Sequence, residues 1–384
     1  MLSSIYILLI FIIGFFISYR IAKELHSGVV YLVFLTHMLF SFLYYLFTQT
    51  RSADANMYYY KGMIEQDHLS FGIGTDFIVF LSGFFQKLGF DKISLFFLFG
   101  LFGFIGYVYL LKMLPQISKK FFGISLFYIV LLLPGFHFWT SALGKDSLFF
   151  MALMMFFYSI QKLPSGLIRL IFSFLILATI RPHMGFILLL SVLTALFFRN
   201  PAKYKFSHLI MGVVAIIVLI LFLPFVLEFL NIDQMQIEEV NRRFEDLTNY
   251  GAQMSDEVSS YVDMSNASLP TKLFAYLFRP LFFDAHSFMQ LAASFENFIL
   301  LSIILSWLKS IRFNIIKWYK AFPLSRKIMA IYIAAGWLIL SMGMYNLGLA
   351  SRQKYMLIPV IFIIIFDVYI QEFFYYKKNN YVRN

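Results

Sequence analysis

Apolar residues fill most of the chain, and charged residues gather in short clusters between the apolar runs. These runs fall at 4–19, 29–48, 93–111, 121–135, 147–161, 167–181, 183–198, 207–227, 288–308, 328–347 and 355–371. A membrane-spanning helix needs about 20 mainly apolar residues, and the shorter runs imply helices that are tilted, kinked or locally shielded. The pattern predicts an all-α polytopic membrane protein of about 11 transmembrane helices, with 1–384 forming a single transmembrane domain. Two polar interruptions are too long for simple turns. Residues 49–92 hold a polar run from Arg51 to Tyr60, followed by a weakly apolar stretch at 76–89 that reads as an amphipathic helix at the membrane surface. Residues 228–287 hold an acidic segment with Glu238, Glu239, Glu245, Asp246, Asp256, Glu257 and Asp263, of which 234–248 suits a surface helix. No repeat of fixed period is visible, and no pair of interrupted helices occupies corresponding halves.

Composition agrees with the pattern. Hydrophobic residues make up 61% of the chain and charged residues 13%, with a mean hydropathy of +0.78. Soluble domains carry about 25% charged residues, so a water-soluble fold is excluded. The absence of cysteine removes disulfides, iron–sulfur clusters and thiolate chemistry. The formal charge of +11 resembles a nucleic-acid footprint, but topology accounts for it better. The first apolar run has no basic leader and no small-residue cleavage site, and Arg20 and Lys23 follow it, so it is expected to be an uncleaved anchor with its N-terminus outside. That orientation puts 19 of the 31 Lys and Arg residues on the cytoplasmic side and 17 of the 20 acidic residues on the outer side, as positive-inside bias requires. Both long interruptions then face outward, where loops carry the chemistry.

Against this bias, several cations sit at outer helix ends. Lys145 and Asp146 lie in the turn Trp139-Thr-Ser-Ala-Leu-Gly-Lys-Asp-Ser147, and Arg181 lies in Arg-Pro-His183, where two runs meet almost without a loop. Arg279 precedes Pro280, and Arg352 and Lys354 precede the last run. A charge at a helix centre costs about 2.5–3.5 kcal/mol, and less near an interface. Cations kept together on the disfavoured face imply a shared anionic partner such as a phosphate or diphosphate, which arginine's planar fork matches. The competing reading is that each side chain snorkels to lipid phosphates, with Asp146 neutralising Lys145. Asp54, beside Arg51 and Tyr58, is the best-placed carboxylate for a general base, and otherwise a solvated loop acid. His137, His183 and His286 fit no metal spacing, and no metal or other cofactor is expected. Asp367 is the only carboxylate expected in mid-span.

Four of these features resemble bacterial polysaccharide polymerases of the Wzy and EpsG-like kind, in the glycosyltransferase-C style. They are the first-loop Arg51, Asp54 and Tyr58, the Trp139 to Asp146 turn, the Arg181-Pro-His183 junction and the late Arg352-x-Lys354. The layout of about 11 spans with one dominant outer loop in the second half agrees. The resemblance implies transfer of a growing glycan between polyprenyl-diphosphate carriers on the outer face of the cytoplasmic membrane, without a nucleotide sugar at that face. Carried over, Lys145, Arg181, Arg279 and Arg352 grip diphosphate, Arg51, Tyr58, Asp146, His183 and Lys354 bind diphosphate or glycan, and Asp54 is the base, with Asp54, Arg181 and Arg352 as the catalytic set. It also implies a chain-length co-polymerase as partner, and no nucleic acid. Asp54 is single where many enzymes of this style carry paired acids. Two other readings stay open: a glycosyltransferase using polyprenyl-phosphate sugars, and a transporter or flippase of lipid-linked oligosaccharide.

Overall fold

The computed structural model describes residues 2–114, 120–121, 123–198, 209–210, 212–220, 262, 264, 267–312, 314–344 and 346–381, with side chains to residue 370. The acidic residues from Glu238 to Asp263 (Asp263 included), the expected helix at 234–248 and the end of the 207–227 run lie outside these residues. Among the described residues the regular structure is helical, apart from one two-residue antiparallel pair, β1 (Lys120–Phe121) with β2 (Ile124–Ser125). The packing divides the chain into two compact units, Met1–Pro182 and His183–Asn384.

The first unit contains α1 (Leu2–Leu25), α2 (Val29–Thr50), α3 (Asp54–Glu65), α4 (Thr75–Lys87), α5 (Lys92–Met113), α6 (Leu126–Leu131), α7 (Pro134–Thr140), α8 (Lys145–Gln161) and α9 (Leu167–Ile180). Helices α5 and α8 are buried on nearly every face, whereas α1 buries only the stripe Ile10, Gly14, Ser18 and Ile21. In lipid the hydrophobic effect does not drive helices together, so close packing through small residues must do so. Gly100, Gly103 and Gly106 recur every three residues along α5. A Cβ at these positions would lie 2.1 Å from the Ser41 hydroxyl, 2.1 Å from the Thr140 carbonyl and 2.6 Å from the Phe150 ring. His137 is buried in this core rather than placed at an interface. Its ring stacks on Tyr107, its Nε2–H donates to the Leu131 carbonyl at 2.8 Å, and its Nδ1 lies 3.0 Å from that of His37.

Two readings of the sequence change here. The polar run after α2 is a helix, because Ala55, Tyr58 and Gly62 recur at helical spacing and bury one face of α3 against α4. Gly62 and Gly83 make that crossing close, since a Cβ on either would lie 2.8 Å from the other's backbone. The run at 121–135 is not one helix. It begins as the β pair and then breaks before Pro134, whose ring cannot continue a helix but suits the first turn of α7. The amphipathic helix expected at 76–89 is α4, burying Ile78, Val79, Ser82 and Gly83.

The helix ends sort into two groups. At one end, Gly74 N–H donates to Thr179 O at 2.8 Å and the Tyr6 hydroxyl to Leu88 O, which brings α3, α4, the start of α5 and the end of α9 together. At the other, Lys112 meets Glu24 at 2.6 Å and Gln161 meets Met113 at 3.1 Å.

The second unit contains α10 (Pro182–Phe197), α11 (Leu269–Phe278), α12 (Phe288–Ser310), α13 (Ile315–Ala321), α14 (Leu324–Met342), α15 (Leu347–Gln353) and α16 (Ile358–Tyr381). Trp337 Nε1 donates to Leu273 O at 2.9 Å, which ties α14 to α11. Arg326, at the start of α14, pairs with Asp367 of α16, with Nη2 3.2 Å from Oδ1.

The protein is a polytopic membrane protein. Helices α1, α2, α5, α12 and α14 are each long and apolar enough to cross a bilayer. The pair Leu347–Met356 and Ile358–Ile370 is long and apolar enough when taken together, and is bent by 51° at its break, as in a broken span or a re-entrant loop. That interruption was not expected in the run at 355–371, which was read as one span. Helices α9 and α10, with 14 and 16 residues, are shorter than the roughly 20 a straight crossing needs.

Candidate functional site

In the first unit, three separate pieces of sequence meet at the α3–α4 end. The chain leaves α2 at Arg51, an exposed residue whose N–H caps Phe47 O at 3.1 Å, and enters α3 at Asp54. Asp54 is exposed, while Tyr58, one helical turn later on the same face, is buried at 2% exposure. The Tyr58 ring packs on Gly144, where a Cβ would lie 3.3 Å from it, so the start of α8 is set directly against α3. Lys145 and Asp146 form the first turn of α8, where an acid is favoured by the helix dipole.

Arg181 completes the group. It ends α9 because Pro182 disfavours helical backbone in the residue before it, and α10 starts at that proline. Its Nη2 donates to Asp146 Oδ1 at 2.6 Å, and its guanidinium lies 5.8 Å from the Phe149 ring centre. The sequence paired Asp146 only with its neighbour Lys145; the fold adds Arg181, 35 residues away, as a partner. The residue is 8% exposed, and its Nε has no hydrogen-bond partner among the described residues. Arginine offers five N–H donors, and this one keeps part of its fork uncommitted in a buried position.

The second unit builds a different cluster. Arg279 ends α11 and grips Asp284 through two nitrogens, with Nε 3.0 Å from Oδ2. The same oxygen accepts from Leu281 N–H at 2.8 Å, so the segment 279–284 closes on itself. Asn297 of α12 donates to Pro280 O at 2.8 Å and accepts from Lys354 Nζ. Lys354 lies at the break before α16 and is 1% exposed, whereas the sequence placed it at an outer helix end. Beside it, the Tyr355 hydroxyl donates to Glu296. Arg279 and Lys354 are thus joined through Pro280 and Asn297. Arg352 lies in the last turn of α15, and His183 lies in the first turn of α10.

Glu296 and Asn297 were missed from the sequence. Glu296 is a second carboxylate inside a span, contrary to the expectation that Asp367 was the only one. Phe295-Glu-Asn297 interrupts an otherwise apolar run, and such an interruption is costly in lipid, which is the signal that identifies it.

Burial by itself raises the Asp284 carboxyl, but its bonds to Arg279 and Leu281 N–H outweigh that and hold it below its ordinary value of 3.8. A depressed carboxylate contributes stability above its unfolded pKa and loses it as pH falls through the folded one. Asp284→Asn is expected to lower stability by about 1.5–3 kcal/mol at neutral pH, the range for hydrogen bonds to charged groups. The deficit relative to wild type should shrink as the pH falls below 3.8. Thermal unfolding of both proteins in detergent at pH 7 and pH 3 checks this; a deficit independent of pH would exclude the carboxylate as its source.

Comparison with protein-family models, with curated proteins and with solved structures finds no match to this chain.

Proposed function

We propose that the protein polymerises polyprenyl-diphosphate-linked oligosaccharide repeat units on the outer face of the bacterial cytoplasmic membrane. The observation that carries this reading is the Arg181 arrangement: a buried guanidinium, half committed to Asp146, beside Lys145 and at the same end as Asp54 and Tyr58. In the proposed topology the chain crosses about 11 times with its N-terminus outside, and short helices such as α9 and α10 complete crossings within the protein. The α3–α4 end then faces outward, and the end bearing Lys112, Lys162 and Arg169 faces the cytoplasm, as positive-inside bias requires.

The acceptor hydroxyl of one lipid-linked unit attacks the anomeric carbon of the donor glycan. The C–O bond to diphosphate breaks, the configuration inverts, and Asp54 takes the hydroxyl proton. Arg181 and Lys145 stabilise the negative charge that grows on the departing diphosphate. No metal or nucleotide sugar takes part. In the second unit Lys354 is committed to Asn297 and acts by positioning the break before α16, while Arg352 and His183 keep the roles that the family resemblance implies. Arg279 has turned two of its nitrogens to Asp284 and acts by shaping the loop. A chain-length co-polymerase remains the partner that the family resemblance implies.

One observation favours a second reading. The broken span at 347–370, with buried Lys354 and Glu296 at its bend, is the kind of interruption that lines substrate paths in transporters. Deleting the gene and analysing the surface glycan separates the readings. Polymerisation predicts chains reduced to one intact repeat unit. Units trapped on the cytoplasmic side indicate a flippase, units lacking one sugar indicate a single-residue glycosyltransferase, and unchanged glycan rejects all three.

A further inference from the structure

At the end of the first unit opposite the candidate site, three cations from three elements converge on one tyrosine. Lys112, in the last turn of α5, has its Nζ 5.7 Å from the centre of the Tyr158 ring. Lys162, just past α8, is 5.9 Å away, and the guanidinium of Arg169, in the first turn of α9, is 5.2 Å away. Arg169 also lies 5.9 Å from Tyr109, whose ring centre is 5.4 Å from that of Tyr158. Glu24 answers Lys112 at 2.6 Å, while Lys162 and Arg169 have no ion pair among the described residues. The Nε of Arg169 is buried and has no hydrogen-bond partner there.

Helix electrostatics explains Lys112 and Lys162 but not Arg169. Lys162 follows the C-terminus of α8, where a cation suits the dipole, but Arg169 occupies the first turn of α9, where the dipole disfavours it. An anion is missing from this account. The surface beside Arg169 indicates its nature. Ile168, Phe172 and Leu175 are exposed at 85%, 57% and 57%. With Ile171 they follow helical spacing, one apolar stripe down α9 from the Arg169 turn. A free phosphate has no use for such a stripe, whereas a phospholipid needs both parts.

We propose that this end of the first unit is a binding site for one anionic phospholipid. Its phosphate is held by Lys162 and Arg169 beside Tyr158, and an acyl chain runs along the α9 stripe. Arginine donates in a planar fork to phosphate oxygens and lysine adds a point charge. The site is independent of the glycan-polymerase reading.

The test uses the full-length protein, purified in detergent and stripped of lipid. It is titrated with short-chain phosphatidylglycerol, with phosphatidylcholine of equal chain length and with inorganic phosphate, and binding is followed by native mass spectrometry and thermal unfolding. The expected result is one phosphatidylglycerol bound at least tenfold more tightly than phosphatidylcholine, and no matching stabilisation by inorganic phosphate. Lys162→Gln, at an exposed position that tolerates change, and Arg169→Gln should each weaken binding about tenfold, the effect of losing one good phosphate contact of about 1.4 kcal/mol. Arg20→Gln, an exposed cation at the same end of α1, should leave it unchanged. Equal binding of the two lipids, or equal loss in Arg20→Gln, would overturn the site. Stabilisation by inorganic phosphate alone would overturn the lipid assignment.

Discussion

Arg181→Lys is expected to lower the rate of glycan polymerisation at least 100-fold, because a transition-state donor is worth about 10²–10³ in rate. Lysine keeps the positive charge and can still reach Asp146, so the Asp146 contact need not be lost. What it lacks is the rest of the guanidinium fork, of which Nε is buried and has no hydrogen-bond partner among the described residues. The loss should therefore fall on turnover more than on the apparent affinity for lipid-linked repeat units, since the charge on diphosphate grows as the bond breaks. Purified protein supplied with lipid-linked units, with product chains resolved by gel, gives both quantities. A variant that polymerises at the wild-type rate would place Arg181 among structural ion pairs and remove it from the chemistry. Asp146→Asn is a useful companion, because it frees the guanidinium without removing it.

Removing one partner of the Arg326–Asp367 pair is expected to cause the largest loss of stability. Both side chains are largely withdrawn from solvent, at 9% and 19% exposure, and they join α14 to α16 across 41 residues of sequence. Taking away one member of a buried pair costs about 3–5 kcal/mol, because the remaining charge is left uncompensated, and lipid offers it no better solvent. Asp367→Asn and Arg326→Gln should each lower the unfolding temperature sharply in detergent. The double variant should recover part of the loss, since it leaves no orphan charge. Strictly additive losses in this cycle would mean that the two side chains do not depend on each other. Neither substitution touches the Arg181 group, so the turnover of surviving folded protein should change little.

What the sequence determined by itself is everything that depends on composition along one dimension. The membrane class, the helical character and the position of most apolar runs follow from how far a chain can go without a charge in lipid. Lys145, Asp146, Arg181 and Lys354 were singled out for the same reason: charge is expensive there, whatever the fold. Partners depended on tertiary structure. Arg181 meets Asp146 across 35 residues, Lys354 meets Asn297 across 57, and Glu296 meets Tyr355 across 59. Tyr58 lies in a stretch that read as loop, yet it is buried against Gly144. Partners of this kind are chosen by the rotation of each helix about its own axis and by which helices pack together. Both are set by close contact of small residues such as the α5 glycines, and hydropathy carries no record of either.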